Sequence, residues 1–223
     1  PLNLGFKVNI AGHAAGAPES YLGRENFGNG KIGKEVWAVP GLEKYHGQDL
    51  FLTEALTQEV LTALDKPILE KQPFFIYFAL YGLHTPLMAN DRLVEPYRKM
   101  GLEEPEARYA SMIESMDEAL GNVLNYLEEN DQEDNTVILF MSDNGGLSAV
   151  ARGGEKHTHN LPLKSGKGSI YEGGIRVPML AYWPGKTQEE TVNSTPLIIE
   201  DFFSTILEIA QIEAGEIPQT VDG

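Results

Sequence analysis

Thr136-Val-Ile-Leu-Phe-Met-Ser-Asp-Asn-Gly-Gly146 joins a short hydrophobic run to an abrupt polar stop. A continuous apolar run of this length, closed by turn residues, reads as a strand buried on both faces. Two other stretches read the same way. One is Pro73-Phe-Phe-Ile-Tyr-Phe-Ala-Leu80; the other is Val177-Pro-Met-Leu-Ala-Tyr-Trp183, with Pro178 near its start. Helical patterns alternate with them. Phe51, Leu52, Ala55, Leu56, Val60, Leu61 and Leu64 recur at steps of three and four, as do Tyr109, Met112, Ile113, Met116, Leu120, Val123, Leu124 and Leu127. The acidic turn Glu128–Asp134 closes the second pattern, and a last helix covers about Ile198 to Ile209. Strands alternating with amphipathic helices predict an α/β sheet with parallel members. Residues 1–48 are a Gly-, Pro-, Asn- and His-rich stretch of loops, either functional or wrapped over the rest; residues 49–223 carry the α/β core.

Composition narrows the function. The 223 residues are 42% hydrophobic and 22% charged, which is ordinary globular usage. Seventeen Lys and Arg stand against 33 Asp and Glu, a net charge of −16, with no basic cluster of the kind nucleic acid requires. No apolar run approaches the ~18–20 residues of a bilayer-spanning helix, so no membrane partner is expected. With no cysteine, disulfides, thiolate metal sites and a cysteine nucleophile are excluded within these residues.

Three places carry candidate chemistry. In open α/β sheets, ligands bind beyond the carboxyl ends of strands, which is where Asp143 and Asn144 fall. Their hard oxygen donors suit Ca²⁺ or Mg²⁺ rather than Zn²⁺, and Gly145 and Gly146 permit a sharp turn; a plain strand-end turn uses the same residues. The second place is Gly166-Lys167-Gly168, where an ammonium flanked by glycines can meet an anion without crowding. It is not a nucleotide-binding P-loop, because Leu161 stands where that motif has its first glycine; a flexible, solvated loop is the other reading. The third is His84, ahead of Thr85-Pro86 at the end of the 73–80 run, able to donate a hydrogen bond or proton near neutral pH or to be satisfied by backbone at the sheet rim. His13, His46, His157 and His159 are expected to be solvated; His157-Thr-His159 could hold a metal, but no third ligand accompanies it.

Taken in order, these signals resemble the type I sulfatase family with its alkaline-phosphatase-like fold. The order is helix, strand, His-Thr-Pro, helix, strand, Ser-Asp-Asn-Gly-Gly, then Gly-Lys-Gly-Ser-Ile-Tyr-Glu-Gly-Gly-Ile-Arg-Val-Pro, strand and Trp-Pro-Gly. The resemblance runs from Asn9-Ile-Ala-Gly12 to Val221-Asp-Gly223, is most specific across Gly166–Pro178, and includes Asp201-Phe-Phe203. It implies a mixed, mostly parallel sheet flanked by helices, incomplete on its amino-terminal side. It implies that Asp143 and Asn144 ligate a divalent cation, calcium with magnesium as the alternative. Lys167 would contact the sulfate and the leaving oxygen, and His84 would hydrogen-bond one or the other. Glu172 and Arg176 would brace the glycine loop, and Asp117 would be a structural hydrogen-bonder.

The chain also departs from that family. It has no Cys, and no Ser followed by Pro or Ala two residues on and Arg four on, the motif that becomes the formylglycine nucleophile. The paired aspartates completing the cation site and the Gly-Lys-Trp-His region are missing too. The expectation is therefore the carboxyl-side portion of a sulfatase catalytic domain. Formylglycine would lie in the missing amino-terminal part, and the isolated chain would be inactive. The implied partner is an aryl or carbohydrate sulfate ester, with specificity in loops such as His13–Phe27 and Ser148–Pro162. An uncovered sheet edge would invite self-association. The residues themselves set no compartment, whereas the resemblance favours a periplasmic or secreted protein. The rival readings are a phosphatase or phosphonate hydrolase of the same superfamily, weakened because no Asp-x-x-x-His pattern accompanies Asp143, and a non-catalytic binder of sulfated glycans.

Overall fold

The computed structural model describes residues 1–28, 30, 33, 35–147 and 160–212. They fall into two units, Pro1–Pro184 and Gly185–Gly223, each taken by itself. In the first unit, helix α1 (Leu52–Leu69) begins where the Glu54 carboxylate accepts the Phe51 N–H at 2.9 Å, satisfying one of the donors a helix start leaves open. It buries Leu52, Ala55, Leu56 and Leu64, and it ends two residues after Pro67, whose ring cannot join the helical ladder. A short helix α2 (Val94–Lys99) leads into α3 (Glu104–Glu129), whose first turn holds Pro105 between Glu104 and Glu106. That start lies five residues ahead of the apolar stripe that announced the helix.

Helix α3 turns a face of small residues inward: Ala107, Ser111, Ser115 and Ala119, four apart, with Met112 and Leu127. Both α1 and α2 pack on α3. The buried serines cost nothing unmet. Ser111 Oγ donates to Arg108 O and accepts from Asn90 N, while Ser115 Oγ donates to Ser111 O and accepts from Asn90 Nδ2. Asn90 Nδ2 also donates to Glu54 Oε1 at 3.0 Å, tying the start of α1 to the middle of α3.

The described residues before residue 49 form only short helical turns and loops, and they wrap the start of α1. Leu22 bridges Phe51 antiparallel, with Gly23 N donating to Leu50 O and Leu52 N to Tyr21 O, both at 2.8 Å. Tyr21, Phe27, Val39, Leu42 and Tyr45 join Phe51, Leu52, Ala55, Leu56 and Met112 in one apolar cluster, and the Tyr21 ring stacks on Phe51 at 5.3 Å.

The sheet differs in detail from expectation. Strands β1 (Ile138–Met141) and β2 (Met179–Tyr182) form where predicted, but they pair antiparallel, from Ile138 opposite Tyr182 to Met141 opposite Met179. They are half-buried to exposed rather than covered on both faces. Pro178, with no N–H to give, stands just outside the ladder. Residues 73–80 form neither helix nor strand and have no ladder partner among the described residues. Phe78 and Leu80 pack against the apolar cluster while Phe75 and Tyr77 are 59% and 76% exposed. An apolar run is buried on both faces only where neighbouring strands and a covering layer flank it, and among the described residues one face alone finds a partner. The α/β class stands, with helices beside a small antiparallel sheet. A helical turn α4 (Glu172–Ile175) precedes β2. In the second unit, α5 (Asp201–Ile209) forms within the predicted span, with Asp201 Oδ2 accepting the Ile198 N–H. No helix among the described residues is long and apolar enough to cross a membrane.

One charged link between α2 and α3 is testable by pH. Arg98 donates twice to Glu104, at 2.7 and 2.9 Å, and Arg108 donates once at 3.0 Å. The Arg98 contacts first, then Arg108, hold the Glu104 carboxyl down to about 2 from its ordinary 4.5. A lowered folded value means that the link is intact above pH 4.5 and is lost as pH falls through about 2. A carboxyl NMR titration should place the Glu104 midpoint near 2, rising toward 4.5 in Arg98→Ala. An unshifted midpoint in the parent protein contradicts the pairing.

Candidate functional site

An antiparallel ladder brings the carboxyl end of β1 beside the amino end of β2. Because Met141 faces Met179, the segment leaving β1 and the segment entering β2 emerge at the same end of the sheet. Backbone hydrogen bonds then stitch Asp143–Gly146 to the glycine loop. Gly145 N donates to Gly174 O at 2.9 Å and Lys167 N to Gly146 O at 3.0 Å. Within the glycine loop, Gly173 N donates to Lys164 O at 2.9 Å. The packing leaves no room for side chains at the crossing points. A Cβ on Gly145 would stand 1.8 Å from Gly173 O, and one on Gly173 2.2 Å from Ser165 O. The Asn160 side chain lies against this crossing and bonds Gly146 and Ser165. Sequence reading passed over Asn160; its one signal was a lone Asn before Leu-Pro-Leu at the head of the loop.

Asp143 is exposed and Asn144 half-buried, and neither side chain makes a hydrogen bond to a described residue. Their carboxylate and amide oxygens are the donor type a hard divalent cation takes, though two donors fill only part of its six- to eightfold shell. No cluster of three or more His, Asp or Glu suited to a metal occurs among the described residues. The pair therefore fits such a cation as one side of a shell. Lys167 is half-buried, and its ammonium has no partner among the described residues. Lys164, by contrast, lies 3.8 Å over the Tyr171 ring and is already engaged. Glu172 and Arg176 form an exposed ion pair at 3.3 Å across Gly173 and Gly174, which ranks as a weak brace. Asp117 is exposed on α3 without a hydrogen bond to a described residue. It lies off the buried face of α3, so the structural hydrogen bond expected of it is absent there.

His84 sits on a different loop, held from beneath. The phenol of Tyr21, fully buried, reaches both Tyr81 O and His84 O, at 2.7 and 2.8 Å. Burial pushes that phenol far above its ordinary range. His84 Nδ1 lies 2.9 Å from Thr85 O, so Nδ1 carries the proton and Nε2 is turned free by the bond its partner nitrogen makes. Among the described residues His84 makes no hydrogen bond to Asp143, Asn144 or Lys167; the backbone joins those three, and His84 is anchored separately. His13 is half-buried rather than solvated. Tyr81 Oη lies 2.8 Å from both Ala11 O and His13 Nδ1, and one phenolic proton serves the carbonyl only if His13 Nδ1–H donates to the phenol. His13 Nε2 is buried with no partner among the described residues. His46 is exposed and lies edge-on to Phe27. His157 and His159 lie outside the described residues, as does most of the Ser148–Pro162 loop.

A cavity of about 330 Å³ opens elsewhere, lined by residues that include Arg24, Asp49, Glu54, Asp91 and Arg92 and by none of the four predicted site residues. Both guanidinium groups there are taken, Arg24 by Asp49 and Asp91, Arg92 by Glu54 and Glu118. Neither is free for an anion, so the chemistry favours the strand-end loops.

Comparison with known proteins agrees with the order of these elements. The family model described as Sulfatase matches residues 5–212. A protein of Formosa agariphila named Sulfatase is 32% identical over 192 residues, 81% of this chain and 32% of its own length. The N-acetylgalactosamine-6-sulfatase of Homo sapiens is 34% identical over 161 residues, 71% of this chain and 28% of its own. The solved structure of Ps i-CgsB in complex with k-i-k-neocarrahexaose superposes with a TM-score of 0.73 at 31% identity, covering 92% of this chain and 46% of that one. The chain thus spans about a third of the length of the curated relatives it matches.

The crowding at Gly145 is open to measurement. Gly145→Ala should lower the thermal unfolding midpoint, since an added methyl in a filled site costs about 1–3 kcal/mol. Gly121→Ala, inside α3 with nothing within 4 Å of the new Cβ, should be neutral or stabilising. Equal midpoints for the two variants would show that the crossing is loose.

Proposed function

The chain belongs to the sulfatase family, and we propose that it forms the cation- and sulfate-binding side of a sulfuric-ester hydrolase site. The observation that supports this most is the bond from Lys167 N to Gly146 O, which ties the residue whose ammonium has no partner among the described residues to the loop that carries Asn144 two positions and Asp143 three positions earlier. Hydrolysis at sulfur requires positive charge around the sulfate oxygens and a proton for the departing oxygen. Lys167 Nζ supplies the charge, binding the sulfate and its bridging oxygen. His84, with Nδ1 committed to Thr85 O, offers Nε2 to the ester and, when protonated, hands its proton to the leaving oxygen.

Asp143 and Asn144 would hold a divalent cation, Ca²⁺ with Mg²⁺ as the alternative. When bound, that cation supplies Lewis-acid charge to the sulfate. The nucleophile is a formylglycine from outside these 223 residues, which contain no cysteine and no serine in the required motif. The isolated chain is accordingly inactive. The substrate is a carbohydrate sulfate. The neocarrahexaose in complex with Ps i-CgsB and the name of the N-acetylgalactosamine-6-sulfatases support that class over a simple aryl ester. By the same family reasoning the protein is exported, periplasmic or secreted. The 73–80 edge, with Phe75 and Tyr77 exposed and no ladder partner among the described residues, associates with a further strand or a second copy.

Three measurements test the reading. In the full-length protein carrying this chain, Lys167→Ala should lower kcat/KM on a sulfated oligosaccharide by about 100-fold or more, the usual size of a lost charge-stabilising contact. Asp143→Ala should lose bound Ca²⁺ by elemental analysis; undiminished metal in that variant removes Asp143 from the shell. The 223-residue chain with Ca²⁺ should hydrolyse an aryl sulfate no faster than its own Lys167→Ala variant, and turnover above that control overturns the inactive assignment.

A further inference from the structure

Asn160 makes an unusual set of contacts. Its side-chain amide pairs with both polar groups of one residue, Oδ1 accepting from Gly146 N at 3.1 Å and Nδ2 donating to Gly146 O at 3.0 Å. The second Nδ2 proton goes to Ser165 O at 2.9 Å. Every donor of the amide is spent, and its orientation is fixed: turned over, the oxygen would face two carbonyls. The residue's own carbonyl accepts Leu163 N at 2.7 Å, which closes the turn that aims the amide. One partner, Gly146, lies two residues after Asn144; the other, Ser165, lies two before Lys167. Gly146 O also receives Lys167 N, so the same oxygen is held from both sides.

We propose that Asn160 is a positioning residue that sets the distance between the Asp143–Asn144 pair and Lys167, a role that rests on those residues forming the cation and sulfate site. A turn stabiliser would tie residues near itself in sequence. Asn160 instead reaches back fourteen residues to the loop leaving β1 and forward five to the loop bearing the ammonium. Side-chain hydrogen bonds to two main chains at once form a spacer of set length. The backbone bond from Lys167 to Gly146 then closes the triangle. A spacer here sets how well the cation and the sulfate are held together, so its loss weakens both bindings, and errors of order 1 Å cost about 100-fold in rate besides.

Asn160→Asp is the discriminating variant. It keeps the shape and the acceptor for Gly146 N but removes both Nδ2 donors and opposes two carbonyls with a carboxylate. In the 223-residue chain without metal, the Lys167 amide, which does not touch Asn160, should lose at least tenfold of its hydrogen-exchange protection, while amides inside α3 stay unchanged. In the full-length protein, the half-saturating Ca²⁺ concentration by calorimetry should rise at least fivefold and KM for a sulfated oligosaccharide should rise with it. A purely structural role would only shrink the active fraction, lowering apparent kcat with Ca²⁺ affinity and KM unmoved. That outcome, or unchanged Lys167 protection, overturns the proposal. Asn160→Ala, which removes the donors without adding charge, carries the same measurements if the Asp variant does not fold. Lys167→Ala and Asp143→Ala run alongside. If they lose activity or metal while Asn160→Asp matches the parent, the spacer alone is refuted; if both retain activity and metal, the site reading falls and the spacer with it.

Discussion

The antiparallel pairing of β1 with β2 is the constraint from which the rest of the site follows. Four residue pairs, ending in Met141 opposite Met179, place the exit of one strand and the entrance of the other at a single edge. Parallel strands would have sent those two segments to opposite ends of the sheet. Once they share an edge, the Asp143–Gly146 turn and the Lys164–Gly174 loop are close enough to bond main chain to main chain, and they do so from Gly145 to Gly174 and from Lys167 to Gly146. The chemistry proposed for Asp143, Asn144 and Lys167 depends on that adjacency more than on any property of the three side chains taken singly.

Much of this was legible in the sequence. The helices announced themselves by stripes at three- and four-residue steps, and β1 and β2 by short apolar runs with turn residues after or before them. Asp143, Asn144 and Lys167 stood out because glycines crowd around them where a strand stops or is about to start. What stayed hidden was pairing. Nothing in Ile138–Met141 or Met179–Tyr182 states which way they run against each other, since the run of apolar residues is the same for either direction. The 73–80 stretch was over-read for a related reason. Its composition fits burial on both faces, but composition cannot supply the neighbours that burial requires. Asn160 and Tyr21 escaped notice because each works through carbonyl and amide groups of residues far away in sequence, and no local pattern encodes such partners. The same is true of His13, whose loop composition suggested water and whose ring instead meets Tyr81.

The first 48 residues show how irregular chain can still be core. Tyr21, Phe27, Leu42 and Tyr45 are spaced without period, yet they gather around Phe51 and Leu52 at the head of α1. Such a stretch is organised by tertiary contacts and by its bridge to Phe51, so periodicity had nothing to report. Tyr21 links this core to the loop of His84, because the one buried phenol reaches the carbonyls of both Tyr81 and His84. The imidazole therefore rides on a packed foundation although its own ring is in solvent.

The crossing of the two strand-end loops is made by peptide groups, by the absence of side chains at Gly145 and Gly173, and by the single side-chain amide of Asn160. Its geometry is accordingly indifferent to what the outward residues are. Ile170, in the same loop, is 89% exposed. Exchanges at such outward positions are felt mainly by the solvent, while the peptide-to-peptide contacts beneath them keep their spacing.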